Sequence, residues 1–202
     1  MEKQNKQLKT WVIWAIVVGL VVVDQIVKIS VKTSMTLGEG HNVLGDWFRW
    51  VFIENEGAAW GMSLGGDYGK LFLSLFRLVA IGALVWYLGR LRKKEAPTGV
   101  IVGFAVILAG AIGNMVDSAF YGVIFSESTA TTVAQLFPEG GGYAPFLYGR
   151  VVDMLHFPLF TWPEWMPLVG GDVFFSPVFN FADSYITVAV FYLLFFQWRY
   201  FK

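Results

Sequence analysis

Asp153 lies in Gly149-Arg150-Val151-Val152-Asp153-Met154-Leu155, and Asp183 in Phe179-Asn180-Phe181-Ala182-Asp183-Ser184. Both carboxylates stand in apolar surroundings, and the second opens a hydrophobic run from Tyr185 to Trp198. A carboxylate at the mouth of a membrane span is costly, which makes it a functional-site candidate. Two carboxylates about 3 Å apart do not both ionise easily, so the pair holds a proton between them. Such a pair activates a water against a peptide carbonyl. One member takes the water's proton and the other polarises or protonates the carbonyl oxygen. The chain has no cysteine and only two histidines, His41 and His156. Disulfides, thiolate nucleophiles and cysteine metal sites are therefore excluded, and a histidine-rich metal centre has too few ligands. His156, three residues after Asp153, either faces a catalytic water or is structural.

Other polar residues recur at helical spacing. Asn114 and Asp117 are separated by three positions, and so are Asn180 and Asp183. Each pair points one way from its helix. They read as polar glue between helices, with Gly110 and Gly113 allowing close approach. That reading explains less well why two helices and the Asp153 segment all bring Asn or Asp to one depth. On the functional reading, Asn114 and Asn180 orient the aspartates or the substrate backbone. Asp24 and Lys28 are four apart and share a face. They form either a local ion pair, with Lys28 reaching to the headgroups, or a brace for a polar pocket. Asn55, in Glu54-Asn55-Glu56-Gly57-Ala58-Ala59, marks either a plain turn or a close approach to an extended peptide. Arg77 reads as a snorkelling or lipid-phosphate residue, and Gly99-x-x-x-Gly103 as a weak helix-packing motif.

The elements that must position these groups are membrane spans. Of 202 residues, 56% are hydrophobic and 18% aromatic, and mean hydropathy is +0.56. Only 15% are charged, against about 25% in soluble domains. This is the composition of an integral membrane protein. The formal net charge is zero, so bulk electrostatics gives no argument for nucleic acid. Spanning helices of about 20 apolar residues are expected over about 11–31, 71–88, 99–117 and 183–198, in a single membrane domain over 1–202. The basic N-terminus followed by Trp11 to Val23 resembles a signal peptide. It lacks a small-x-small cleavage site and runs on into Asp24, so it reads as an uncleaved first span. Lysine and arginine concentrate in the N-terminal tail, in Arg90 to Lys94 and at the C-terminus. With four spans these share one side, predicted to be cytoplasmic, with both termini inside. Loops of about 32–70 and 118–182 then face outward. Trp47 to Ile53 predicts a small sheet on the membrane surface, and Trp162 to Pro167 an interfacial segment. Ser126 to Thr132 and Pro138 to Gly142 read as an exposed, flexible insertion.

Five stretches occur in the order expected of bacterial lipoprotein signal peptidase, the signal peptidase II family of membrane aspartic peptidases, which this chain resembles. They are Asp24-Gln25-x-x-Lys28, Asn55-x-Gly57-Ala58-Ala59, Gly113-Asn114-x-x-Asp117, Gly149-x-Val151-Val152-Asp153 and Phe179-Asn180-x-Ala182-Asp183-Ser184. The resemblance covers nearly the whole chain. It implies removal of signal peptides from diacylglyceryl-modified prolipoproteins, by cleavage just before the lipidated cysteine. It implies that Asp153 and Asp183 are the catalytic pair, supported by Asp24, Lys28, Asn55, Gly57, Asn114, Asp117 and Asn180. It further implies a bacterial inner-membrane enzyme, open at the outer face, in contact with lipids and blocked by globomycin-type inhibitors, with no metal or organic cofactor expected. Two departures stand out. Ser118 occupies a position where many members carry arginine, and residues 121–148 extend a stretch that is usually short. Arg150 is a candidate to supply the missing positive charge.

Two readings from other classes compete. Intramembrane Asp, Lys and Arg also build proton relays in small transporters or channel subunits. Against this, the polar residues cluster at one face, without broken helices or inverted repeats near the midplane. A non-catalytic scaffold leaves the Asn and Asp pairs unexplained.

Overall fold

The computed structural model describes residues 8–56 and 66–202. Helix α1 spans Thr10–Ser34, α2 Gly66–Lys93 and α3 Thr98–Val116. A π-helical turn, Asp117–Tyr121, and one further turn, α4 (Gly122–Ile124), continue α3. Helix α5 runs from Phe181 to Phe196 and is followed by a 3-10 turn, Trp198–Phe201. Among the described residues three helices are long and apolar enough to cross a membrane, namely α1, α2 and α3 with its continuation. At 16 residues α5 is a shorter apolar helix, about 24 Å long at 1.5 Å per residue.

Local chemistry sets the helix ends. Arg90, Arg92 and Lys93 fill the last turn of α2, where cations oppose the negative end of the helix dipole. Pro97 immediately precedes α3. Asn180 caps α5, which starts at Phe181, two residues before the predicted span. Its side chain accepts a hydrogen bond from the Asp183 amide, while Asp183 accepts one from the Asn180 amide, forming a capping box.

Helix α3 is the central element, packed against α1, α2 and α5. Its glycines set the spacing. A methyl group at Gly110 would run into the Ala182 carbonyl and Ile186, and one at Gly113 would lie 2.6 Å from an Asp24 oxygen. Gly103 faces Leu193, and Gly99 faces Tyr192 and Gln197, so the Gly99-x-x-x-Gly103 motif is a packing seam against α5.

At one end of the bundle sits an antiparallel sheet ordered β1-β2-β3-β6, comprising Gly40–Leu44, Phe48–Asn55, Val151–His156 and Val178–Phe179. The β-rich segment predicted over Trp47 to Ile53 is β2, one residue offset at its start. Asp153 was expected on a loop and instead lies in β3, opposite Ile53. Residues Val151 to Leu155 are all buried. A strand covered on both faces reads as a continuous apolar run, which hides the alternation that would reveal it.

The insertion is largely exposed, as expected, but its backbone is pinned. Phe125 pairs with Leu136, the Tyr143 amide donates to the Phe125 carbonyl at 3.0 Å, and the Gly149 amide donates to the Ser118 carbonyl at 2.9 Å. The predicted interfacial segment lies within a small hairpin of β4 (Phe160–Thr161) and β5 (Val173–Phe174). Phe160 and Phe174 stack there at 4.7 Å, with Trp162 edge-on to both, while Trp165 and Leu168 are exposed.

Candidate active site

Three elements deliver the two aspartates and the asparagines between them. Asp153 comes from β3, Asn180 and Asp183 from the start of α5, and Asn114 from the last turns of α3. The Asn180 amide group donates to Asp153 Oδ1 at 2.6 Å and to Asn114 Oδ1 at 3.0 Å. Asn114 in turn donates to Asp183 Oδ1 at 2.7 Å. The two carboxylates are thus the ends of one chain, Asp153–Asn180–Asn114–Asp183. Asn55, at the end of β2, donates to the other oxygen of Asp153 at 3.4 Å. Gly57, Ala58 and Ala59 lie outside the described residues.

Beneath this chain is a layer of buried charge. Lys28 Nζ lies 3.1 Å from Asp24 and 2.8 Å from Asp117, and donates to Asn114 Oδ1 at 2.9 Å. All three charged side chains are buried. Each is satisfied more than once, which is the condition under which buried ions are tolerated. Asp24 accepts from the Ala182 amide at 3.0 Å and so holds the start of α5. Asp117 accepts from the Val152 amide at 3.2 Å and so holds β3 next to Asp153. The brace expected of Asp24 and Lys28 is present, and Asp117 is its third member.

Asp153 is buried, and its carboxyl is pushed up to about 7. Burial is the main cause and the negative charge of Asp183 the second; the bonds from Asn180 and Asn55 and the charge of Lys28 oppose them. A carboxyl raised this far holds a proton through much of the range near neutrality.

Several further residues lie close to the site. Gln25 donates to Asp117 at 2.8 Å and accepts from the Tyr121 hydroxyl at 3.0 Å. Lys32 is buried, ion-paired to Glu54 and bonded to Ser128 at 3.0 Å. Its spacing four residues beyond Lys28, on the Asp24 face, was the available signal. Arg77 bonds Ser118 Oγ at 2.7 Å, rather than pointing only to headgroups as expected. Arg150, the candidate to stand in for a charge at Ser118, lies 3.3 Å from both Glu54 and Glu127 and over the Tyr143 ring. His156 pairs with Arg49 across the sheet, and its buried Nδ1 has no hydrogen-bond partner among the described residues. No cluster of His, Asp and Glu suited to a metal occurs among the described residues.

A cavity of about 690 Å³ opens beside Asp183. Phe175, Pro177 and Phe179 wall it on the sheet side, and Thr187 and Val188 on the α5 side. It is an apolar groove that reaches a carboxylate.

Two kinds of likeness bear on this site. Over 97% of this chain and 93% of the other, the fold superposes on a solved bacterial membrane enzyme with a TM-score of 0.63 at 23% identity. A lipoprotein signal peptidase of Porphyromonas gingivalis is 52% identical over 188 residues, covering 91% of this chain and 81% of the relative. One from Amoebophilus asiaticus is 34% identical over 90% of this chain and 75% of the relative. The family model described as signal peptidase (SPase) II matches residues 16–199. That match takes in every buried charge and amide of the site, and the chain belongs to the signal peptidase II family.

Proposed function

We propose that Asp153 and Asp183 are the catalytic pair with which this peptidase removes signal peptides from prolipoproteins. The observation that carries the assignment is the Asn180–Asn114 bridge, which joins the two carboxylates by bonds of 2.6, 3.0 and 2.7 Å. The raised carboxyl of Asp153 supports it. The transporter reading is not favoured by the family match.

The pair acts as an aspartic peptidase with one proton shared between two carboxyls. The ionised member takes a proton from water as the water oxygen attacks the scissile carbonyl carbon. The protonated member gives its proton to the carbonyl oxygen, leaving a neutral tetrahedral diol. As the diol collapses, one of its hydroxyls returns a proton to the ionised member, the C–N bond breaks and the nitrogen takes the proton of the other member, which restores the singly protonated pair; the new carboxylic acid then loses its proton to solvent. The products are a signal peptide with a new carboxylate and a mature protein with a free amino group on its lipidated cysteine. Asn114 and Asn180 keep the carboxyl planes fixed, so that no reorganisation is needed at the moment of attack. The two titrations belong to the pair rather than to either residue.

The setting suits this substrate. The apolar groove beside Asp183 is open to an acyl chain or to the apolar stretch of a signal peptide. The basic ends of α1, α2 and α5 support a reading in which the sheet and site face outward, α5 is the fourth span and both termini are inside. A lipid-anchored cysteine sits at that level. A globomycin-type inhibitor would occupy the same groove and pair.

The test is turnover of a diacylglyceryl-modified prolipoprotein by the purified full chain. Asp153→Asn and Asp183→Asn should each lower kcat by about 1000-fold or more, with unchanged helical content. Near-normal cleavage by either variant removes the pair.

A further inference from the structure

Helix α2 is the least buried of the candidate spans and presents Phe72, Phe76, Val79 and Trp86 outward. One stripe on it is polar. Lys70, Ser74 and Arg77 follow at intervals of four and three, so they share a face. Each grips the protein. Lys70 donates to the Glu56 carbonyl at 2.7 Å, Ser74 to the Leu147 carbonyl at 2.7 Å, and Arg77 to Ser118 Oγ at 2.7 Å. The stripe therefore joins α2 to the end of β2, to the insertion and to the helix carrying Asn114.

Arg77 sits at the deep end of this stripe. Ser118 is buried and donates onward to the Asn114 carbonyl at 3.1 Å, and Asn114 holds Asp183. The carboxylates within reach of the guanidinium charge are Asp183 first, then Asp117 and Asp153. Asp117 already has Lys28 and Gln25 against it. Asp153 feels the charge of Lys28, although the Lys28 ammonium itself is bonded to Asp24, Asp117 and Asn114.

We propose that Arg77 is a positioning residue for the dyad. From α2 it fixes Ser118 and sets its positive charge opposite the single negative charge of the Asp153–Asp183 pair. This rests on the assignment of that pair made above. The charged groups facing the pair are Lys28, Asp24 and Asp117 from α1 and the end of α3, and Arg77 from α2, with Lys70 further along the same face. Of the two α2 cations, Arg77 is the one whose charge acts on Asp183 and Asp153. It stabilises the singly ionised pair, the form that activates water, against the doubly protonated one. It thereby keeps the enzyme active at lower pH than the pair alone would allow.

The experiment is the pH profile of kcat and of kcat/KM for the full chain in detergent, with a lipidated prolipoprotein as substrate. Arg77→Gln keeps a donor for Ser118 and removes the charge. Its acid limb should move up by about one pH unit, a tenfold loss on the acid side, with KM little changed. Arg77→Lys keeps the charge and should hold the limb near the wild-type position. A uniform drop across pH with the limb unmoved, or a limb that moves equally in both variants, overturns the proposal. If Arg77→Gln does not fold, Ser118→Ala serves instead. It removes the Ser118 bond to the guanidinium and should move the limb upward by a smaller amount, and an unmoved limb overturns the proposal. Asp153→Asn separates the two claims. If it remains active, the dyad assignment itself has failed. If it is inactive while the Arg77→Gln limb stays put, only the role of Arg77 has failed.

Discussion

Lys28 and Lys32 stand one turn apart on α1, on the same face, and both are buried. Their partners differ in kind. Lys28 is surrounded by Asp24, Asp117 and Asn114, groups that hold α5 and β3 at the aspartate pair. Lys32 is held by Glu54 and Ser128, with the rings of Phe52, Phe125 and Tyr143 around it. The upper lysine therefore ties the sheet to the insertion, and the lower one ties the helices to the pair. Burial of a charge does not distinguish the two roles. What distinguishes them is whether the partner of the charge is one bond from a reacting group.

The sharpest break of this contrast is Lys28→Met. It leaves Asp24 and Asp117 as uncompensated buried carboxylates, which should cost about 3–5 kcal/mol and lower kcat by about 100-fold in whatever fraction folds. Thermal melting and turnover at matched folded concentration check both halves. Lys32→Met should cost a similar amount of stability, because Glu54 is left with Arg150 and Ser128 alone. Its kcat per folded molecule should stay within about threefold of wild type, and Lys32→Met with Glu54→Gln should recover much of the stability. A Lys32→Met enzyme that folds fully and loses its kcat would erase the distinction.

Deleting residues 126–142 removes Ser128 and the strand-like pairing of Phe125 with Leu136. The expected result is a lower melting temperature rather than a faster or more open enzyme. An active, equally stable deletion would return the insertion to the status of an inert loop.

Asp153 adds a pH test. Its folded carboxyl is raised, so its contribution to stability is fully present below its ordinary value near 4 and is lost as pH rises through about 7. Asp153→Asn stays neutral at every pH. It should therefore be more stable than wild type above pH 7, on the order of 1–3 kcal/mol, while being inactive. Melting curves at pH 5 and pH 8 give the comparison, and equal differences at the two values would contradict it. The smallest effect belongs to Ser128→Ala, about 1 kcal/mol of stability and no measurable change in turnover.

Much of the site was legible because helical spacing constrains it directly. Asp24 with Lys28, Asn114 with Asp117 and Asn180 with Asp183 each lie on one face by arithmetic alone. Asn180 and Asp183 carry a second meaning, since the same spacing caps α5. The illegible parts depend on partners far along the chain. Arg77 looked like a headgroup residue because its position along a span says nothing about which side of the helix meets protein. The insertion looked loose because its polar and glycine-rich sequence does not reveal that Ser128 would meet Lys32, 96 residues away. Asp153 looked like a loop residue because β3 is buried on both faces and shows no alternation. Arg150 looked available to the pair, yet its side chain is held by Glu54 and Glu127.

The π-helical turn at Asp117–Tyr121 works as a phase adjustment in the helix that carries it. An ordinary helix advances about 100° per residue, and one extra residue in a turn resets the azimuth of everything that follows. Before the turn, α3 is clocked to present Asn114 to the aspartates. At its end Tyr121 is clocked to reach back to Gln25, and just after it Gly122 takes the backbone of the insertion, where the Ala144 amide binds its carbonyl at 2.9 Å. A single-residue deletion within the turn would keep the composition and nearly all the hydrophobicity of the span. It would still rotate the insertion off its seat by about a quarter turn, leaving two well-formed halves of one helix out of register with each other.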